Sequence, residues 1–281
     1  EGLTLTNANQ IKHMEEKSKI EADAFDGFET AVTSKKASVQ SLSLSGFALN
    51  GDSEAMIKKM LEDKFVTGRW ALLGQSTVIY AAPNSGKTLI TIYEIIKGIK
   101  EGLIKGEDVF YINCDDSHKG LTFKLTLAEK YGFIMLSPGH KGFKANLLTT
   151  ILEDMNNDGT ASGKIIVLDT IKKFVDLMNK KNGSEFAEHI RQFILHGGTA
   201  IMLGHVNKYN GDDGKPIFAG TTDMRDDCDC SYTVHVVEED KFNGPKTIKF
   251  ENTKNRGDVA HEVVYQYDCS MNLTYQERLD S

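Results

Sequence analysis

No stretch of this chain approaches the roughly 20 consecutive apolar residues that a membrane-spanning helix needs, and the N-terminus is polar throughout. A membrane helix and a secretory signal are therefore not expected, and the sequence predicts a soluble, cytoplasmic protein. Cysteine is scarce. Cys114, Cys228, Cys230 and Cys269 show neither C-x-x-C spacing nor paired His ligands, which argues for reduced thiols and against a zinc site or a disulfide framework. Positive charge is also in deficit: 33 Lys and Arg against 40 Asp and Glu give a formal net charge of −7. Such a surface is not the strongly basic kind that grips duplex DNA unaided. Any nucleic-acid contact has to come from local basic loops, from several copies acting together or from another domain. The first residue is Glu1 and not Met, as expected of a fragment of something longer.

What the chain has is a core. Its 281 residues are 40% hydrophobic, enough for one large or two small globular domains. The stretch that organises them is Ser76-Thr77-Val78-Ile79-Tyr80-Ala81-Ala82-Pro83-Asn84-Ser85-Gly86-Lys87-Thr88. A short apolar run meets a tight turn, and Lys-Thr opens a helical pattern. Leu89, Ile92, Tyr93, Ile96 and Ile99 continue that pattern until Gly102 offers a stop. Strand, loop and helix in this order predict a phosphate-binding loop over Ala81, Ala82, Pro83, Asn84, Ser85, Gly86, Lys87 and Thr88. Its backbone N–H groups and helix N-terminus would cradle phosphates, Lys87 would supply a point charge and Thr88 would ligate Mg²⁺. The pattern G-x-x-x-x-G-K-[ST] wants Gly where Ala81 stands, so easy access to positive φ is given up there.

Residues 1–52 read as a polar, partly helical arm or linker: Ile11, Met14, Ser18, Ala22 and Phe25 make only a thin helical stripe. Either a flexible arm or a helix docking on a neighbouring copy fits it. A helix capped by Ser53, with Met56, Met60 and Leu61 on one face, opens residues 53–281. The segment from Phe65 to Gly68 leads into the first strand. Apolar strands at 109–112, 134–136, 165–168 and 199–203 alternate with helical patterns at 121–131, 147–155 and 184–197, which predicts a mainly parallel sheet covered on both faces. Later strands at 231–237, 246–251, 262–267 and 273–276 should extend it antiparallel.

Four places carry candidate chemistry. Asp169 ends the apolar strand 165–168, where a carboxylate can order an Mg²⁺ shell opposite the loop, although a helix cap would look the same. Asp115 and Asp116 follow the strand 109–112 on the same sheet edge; one of them is expected to be the base for attacking water, with an N-cap as the competing role. His205 follows the strand 199–203 and can either sense a γ-phosphate or be an ordinary satisfied His. Lys254 and Arg256 share one face near a late strand end, as a solvated basic edge or as fingers reaching a neighbouring subunit's phosphates.

Together these residues resemble the RecA-like ATPase core, and within it the hexameric replicative DNA helicases of bacteria, phages and plasmids, over roughly residues 65–267. Ala81 to Thr88 resembles the Walker A loop and Ile165 to Asp169 Walker B. Asp115 stands where that family carries a catalytic glutamate, one methylene longer. His205, within Gly204 to Lys208, matches the sensor position, and Lys254-Asn255-Arg256-Gly257 resembles the paired fingers that act across subunits. The resemblance implies an α/β RecA-like P-loop NTPase core that binds ATP and Mg²⁺ at the interfaces of a ring or filament and moves on single-stranded DNA. Lys172, Lys173, Lys180 and Lys181 are the candidate DNA contacts. The later loop instead carries Asp212, Asp213, Asp223, Asp226 and Asp227, which keeps a nucleotide sensor or signalling ATPase open as the alternative.

Overall fold

The computed structural model describes residues 48–54, 56–57, 64–174, 180–210, 216–218, 223–239, 244–270 and 273–281; at 180–182, 207–210, 216–218 and 223–224 it describes the backbone alone. The chain divides into two units, Glu1–Met60 and Leu61–Ser281. In the first, the expected helix is present as a turn including 53–54 and 56–57, and the Met56 N–H donates to the Asp52 carbonyl, which makes Asp52 the cap instead of Ser53. The arm before residue 48 and the positions Met60, Asp212 and Asp213 lie outside the described residues, as do the side chains of Lys180, Lys181, Lys208 and Asp223.

The second unit is α/β. A two-stranded antiparallel hairpin, β1 (Phe65–Thr67) and β2 (Ala71–Leu72), precedes the main sheet. Sequence periodicity misses this hairpin because its strands are too short to show a period. It is nonetheless well anchored: the Gly68 N–H donates to Glu94 Oε2 at 2.7 Å, and Trp70 stacks on Phe250 while its Nε1 donates to the Tyr265 hydroxyl at 2.9 Å. A Cβ on Gly68 would lie 2.3 Å from that hydroxyl and 2.8 Å from the Glu94 carboxylate, so a larger residue there would have to push both side chains out of these contacts.

The main sheet runs β11 (Glu262–Asp268), β10 (Pro245–Lys254), β9 (Cys230–Glu239), β3 (Ser76–Ala81), β7 (Thr199–Asn210), β6 (Ile165–Asp169), β4 (Val109–Asn113), β5 (Ile134–Leu136), with β8 (Pro216–Phe218) paired to the outer part of β7. Six strands are mutually parallel: β3 (Ser76–Ala81), β4 (Val109–Asn113), β5 (Ile134–Leu136), β6 (Ile165–Asp169), β7 (Thr199–Asn210) and β9 (Cys230–Glu239). The antiparallel extension is confined to β10 (Pro245–Lys254) and β11 (Glu262–Asp268), because β9 pairs parallel to β3. β7 runs well past its apolar stretch, held beyond Leu203 by β8.

Side-chain alternation divides the core into two layers. Ile79, Tyr111, Val167 and Leu203 pack with Leu89, Ile92 and Ile95 of α1 (Lys87–Lys100) and Leu127 of α2 (His118–Tyr131). On the other face Val78, Ile112, Leu168 and Met202 pack with Leu152 of α3 (Leu148–Asn157) and with Phe186, Ile190 and Phe193 of α4 (Lys180–Leu195). Burial on both sides explains why the middle of each of these strands, at 78–81, 109–112, 165–168 and 200–203, is apolar on both faces. A short helix α5 (Asp223–Asp227) precedes β9.

One expected strand is a helix. Residues 273–276 fall at the start of α6 (Tyr275–Asp280), where the Thr274 side chain accepts from the Glu277 N–H and the Glu277 carboxylate accepts from the Thr274 N–H. This reciprocal capping box outweighs the short apolar-aromatic pattern that suggested a strand.

Candidate active site

The parallel strands deliver their C-terminal ends to one edge, and β3 ends there at Ala81. Ala81 is a fully buried strand residue paired with His205 of β7 and Val234 of β9. The left-handed positions fall instead at Asn84 (φ 60°) and Gly86 (φ 93°). Asn tolerates that region, so the loop makes its turn without a glycine at 81. Gly86 has no such latitude: a Cβ there would lie 2.5 Å from the Tyr267 hydroxyl oxygen. Gly86 is also the N-cap of α1, with no side chain capping it and no acidic residue in the first turn. The uncapped N–H groups and the positive end of the helix dipole are thus left for an anion. Ser85 beside them is buried, and its hydroxyl has no hydrogen-bond partner among the described residues.

Thr88, in the first turn of α1, donates from Oγ1 to Asp169 Oδ2 at 3.0 Å, across the gap between α1 and the end of β6. The same carboxylate oxygen accepts from the Tyr111 hydroxyl at 2.8 Å and lies 3.5 Å from Lys124 Nζ. Burial, then the Asp169 charge, raise the Tyr111 pKa well above its ordinary value, so this hydroxyl stays a donor. Among the described residues no three His, Cys, Asp or Glu converge as a metal cage. The adjacent hydroxyl and carboxylate oxygens do match the donor set with which proteins hold Mg²⁺ when water and phosphate complete its shell.

β7 lies between the loop strand β3 and the carboxylate strand β6, and this order sets His205 between two charges. Lys87 Nζ lies 3.5 Å from His205 Nδ1, and His205 Nε2 lies 3.4 Å from Asp115 Oδ2. An ammonium only donates, so Nδ1 is the acceptor and the ring proton sits on Nε2, directed at Asp115. Burial, then the charges of Lys87 and Lys172, lower the His205 pKa, against the opposing pull of Asp115. Burial likewise lowers that of Lys87, partly offset by Asp169 and Asp115.

The two neighbouring aspartates differ in their surroundings. Asp116 forms an ion pair with the buried Lys124 and accepts from Asn113 Nδ2 at 2.7 Å. Asp115 faces His205 and is exposed enough for water to reach it, with 39% of its side chain accessible. Ser117, and not Asp116, is the N-cap of α2.

Lys254 and Arg256 are not brought to this edge. Lys254 pairs with Ser231 of β9, which in turn pairs with Val78 near the start of β3. Lys254 Nζ donates to the Arg225 carbonyl at 3.3 Å and to the Asp226 carbonyl; Arg256 lies 3.8 Å from Asp229, whose other carboxylate oxygen accepts from Ser76 at the beginning of β3. Both cations therefore stand at the end of the sheet away from the loop.

A cleft of about 530 Å³ joins the loop, Asp115, Asp116, Asp169 and His205. It is also lined by Lys124, Lys246, Tyr275 and Arg278, which the sequence did not single out. Lys124 carried a usable signal: with Leu127 and Ala128 it falls on the buried stripe of α2, where a lysine needs a carboxylate. Lys246 and Arg278 come from late elements whose proximity no local pattern announces. No family model matches the chain, and no curated protein matches it either.

Proposed function

We propose that this chain binds a nucleoside triphosphate in the cleft beside residues 82–88 and hydrolyses it, with ATP the substrate that the RecA-like resemblance of its motifs implies. The observation that carries the reading is the convergence of Thr88 on Asp169 and of Lys87 on His205 and Asp115, from four separate elements, around one uncapped helix N-terminus. The first-turn N–H groups and Lys87 bind the phosphates. Thr88 and Asp169 would hold Mg²⁺, which would supply positive charge against the phosphates. Asp115 takes the role of orienting the attacking water and accepting its proton, because Asp116 is committed to Lys124. His205, neutral near pH 7 and donating to Asp115, holds that carboxylate in line and touches Lys87 on its other side, so loss of a phosphate at Lys87 is felt at β7.

The same resemblance extends the reading to a motor on single-stranded DNA, assembled as a ring or filament. The placement of Lys254 and Arg256 away from their own cleft suits fingers that serve a neighbouring copy. Lys172 and Lys173 are exposed just after Asp169, and the charge of Lys172 reaches both Lys87 and His205, which gives a bound polyanion a route to the site. The net charge of −7 and the exposed Asp226 and Asp227 favour the second reading, a nucleotide sensor indifferent to DNA.

Phosphate release from ATP, measured with and without single-stranded DNA at low fixed salt beside Lys87→Ala, tests both. Turnover that Lys87→Ala abolishes supports the hydrolase, and stimulation by DNA supports the motor. Turnover by the assembled protein that DNA leaves unchanged supports the sensor. No turnover by assembled protein overturns the hydrolytic reading.

A further inference from the structure

Among the described residues the cleft is lined by four cationic side chains, and they fall into two classes. Lys124 is answered by Asp116 and Asp169, and Lys246 by Glu239 at 2.8 Å while it also donates to the Asn84 carbonyl. Lys87 and Arg278 have no carboxylate within 4.0 Å among the described residues. Lys87 is accounted for by the phosphate loop, but Arg278 is not. Its Nη2 donates to the Ser270 carbonyl at 3.2 Å, and its Nε is buried without a hydrogen-bond partner among the described residues. Leaving a guanidinium N–H buried and unpaired is costly. A second buried polar atom without a hydrogen-bond partner among the described residues, the Tyr275 hydroxyl, stands one turn earlier on the same six-residue helix, and Tyr275 too lines the cleft.

The segment that carries them is fixed in place. Leu279 is buried in the core layer with α1, and Gln276 and Asp280 share a small cavity with Tyr93, Lys97 and Tyr131 of α1 and α2. The capping box holds the start of α6, and the Ser281 hydroxyl accepts from the Asp268 N–H at 2.9 Å. Residues 275–281 therefore form a strap across α1 that sets Arg278 at the cleft, where its charge is felt by Asp268 but no carboxylate among the described residues pairs with it within 4.0 Å.

We infer that Arg278 is a phosphate-binding residue of the cleft, supplied by the strap of the same chain, and that nucleotide binding tightens the strap. The planar guanidinium offers paired donors matched to phosphate oxygens, where the described residues provide it with the Ser270 carbonyl. This inference rests on the triphosphate reading of the cleft, and its test separates the two.

Binding of a fluorescent ATP analogue with Mg²⁺ is measured by anisotropy at low and high salt for the unaltered chain, Arg278→Ala, Arg278→Lys and Lys87→Ala. Arg278→Ala should weaken binding by about tenfold or more at low salt, the loss expected for one charge-assisted contact, and less at high salt. Arg278→Lys should recover part of it. In the unaltered chain, backbone amides of 275–280 should exchange more slowly with nucleotide bound, and in Arg278→Lys less so. If Lys87→Ala loses binding while both Arg278 variants bind as the unaltered chain does, or if nucleotide leaves exchange in 275–280 unchanged, the inference is wrong and the cleft reading stands. If the unaltered chain binds no nucleotide, both fall.

Discussion

The Thr88 hydroxyl donates to Asp169 Oδ2 at 3.0 Å, joining residues 81 positions apart in the chain. One comes from the first turn of α1 and the other from the end of β6, two strands away from the loop strand. The sheet order creates this meeting, and it defines the cleft on which the functional reading stands.

Asp115 and Asp116 should separate cleanly on mutation. Asp115→Asn is expected to lower ATP turnover by roughly 10²- to 10⁴-fold while nucleotide binding is retained, the range for removal of a general base. Asp116→Asn should lower turnover less than tenfold and should instead cost about 1–3 kcal/mol of stability, because it weakens the partner of the buried Lys124. Steady-state turnover and thermal melts of both variants check this; the reverse pattern would move the base to Asp116.

Gly86→Ala should disable the loop. The new Cβ meets the Tyr267 hydroxyl at 2.5 Å and the backbone stays at φ 93°, so a loss of about 1–2 kcal/mol from the left-handed backbone alone is expected, together with loss of nucleotide binding. Ala81→Gly, at a strand position that makes no demand for positive φ, should leave binding unchanged. Denaturant melts and nucleotide titration of the two variants test the contrast.

These two positions show where the sequence was legible. The apolar strands read directly because burial on both faces removes alternation, and the loop motif carried its own strand and helix context. The apparent defect at Ala81 disappears because the turn draws its left-handed residues from Asn84 and Gly86. What stayed hidden has physical causes. The β1–β2 hairpin is too short for a period. Residues 273–276 have the composition of a strand, while the capping box Thr274/Glu277, readable in the sequence, decides for a helix. Arg278 and Lys246 enter the cleft only through sheet order and the strap, which are long-range properties.

His205 should make stability fall with acid. Burial holds its folded pKa below the ordinary 6.5, so below that pH the unfolded chain binds the proton more readily than the folded one. Stability from this group is fully present above the unfolded value and is lost as pH falls from it toward the folded pKa. Melting temperatures of the unaltered chain and of His205→Gln, compared from about pH 8 down to about pH 5, should diverge less at the acid end, since the variant has no imidazole to charge there. Parallel curves across that window would contradict the assigned burial of the ring.

Arg256→Ala should leave nucleotide binding by dilute protein intact and lower turnover of the assembled protein on the order of 10³-fold, the contribution of a finger acting across an interface. Mixing it with Lys87→Ala should restore part of the activity, because each supplies what the other's interface lacks. Unchanged turnover in an assembled sample would leave Arg256 as the partner of Asp229 alone.

The most direct test of the central claim is calorimetric titration of the chain with ATP in the presence of Mg²⁺, beside Lys87→Ala. The account predicts saturable binding by the unaltered chain, weakened when Mg²⁺ is withheld and lost in Lys87→Ala. Absence of binding, or equal binding by the two proteins, would contradict the assignment of residues 82–88 as a phosphate loop.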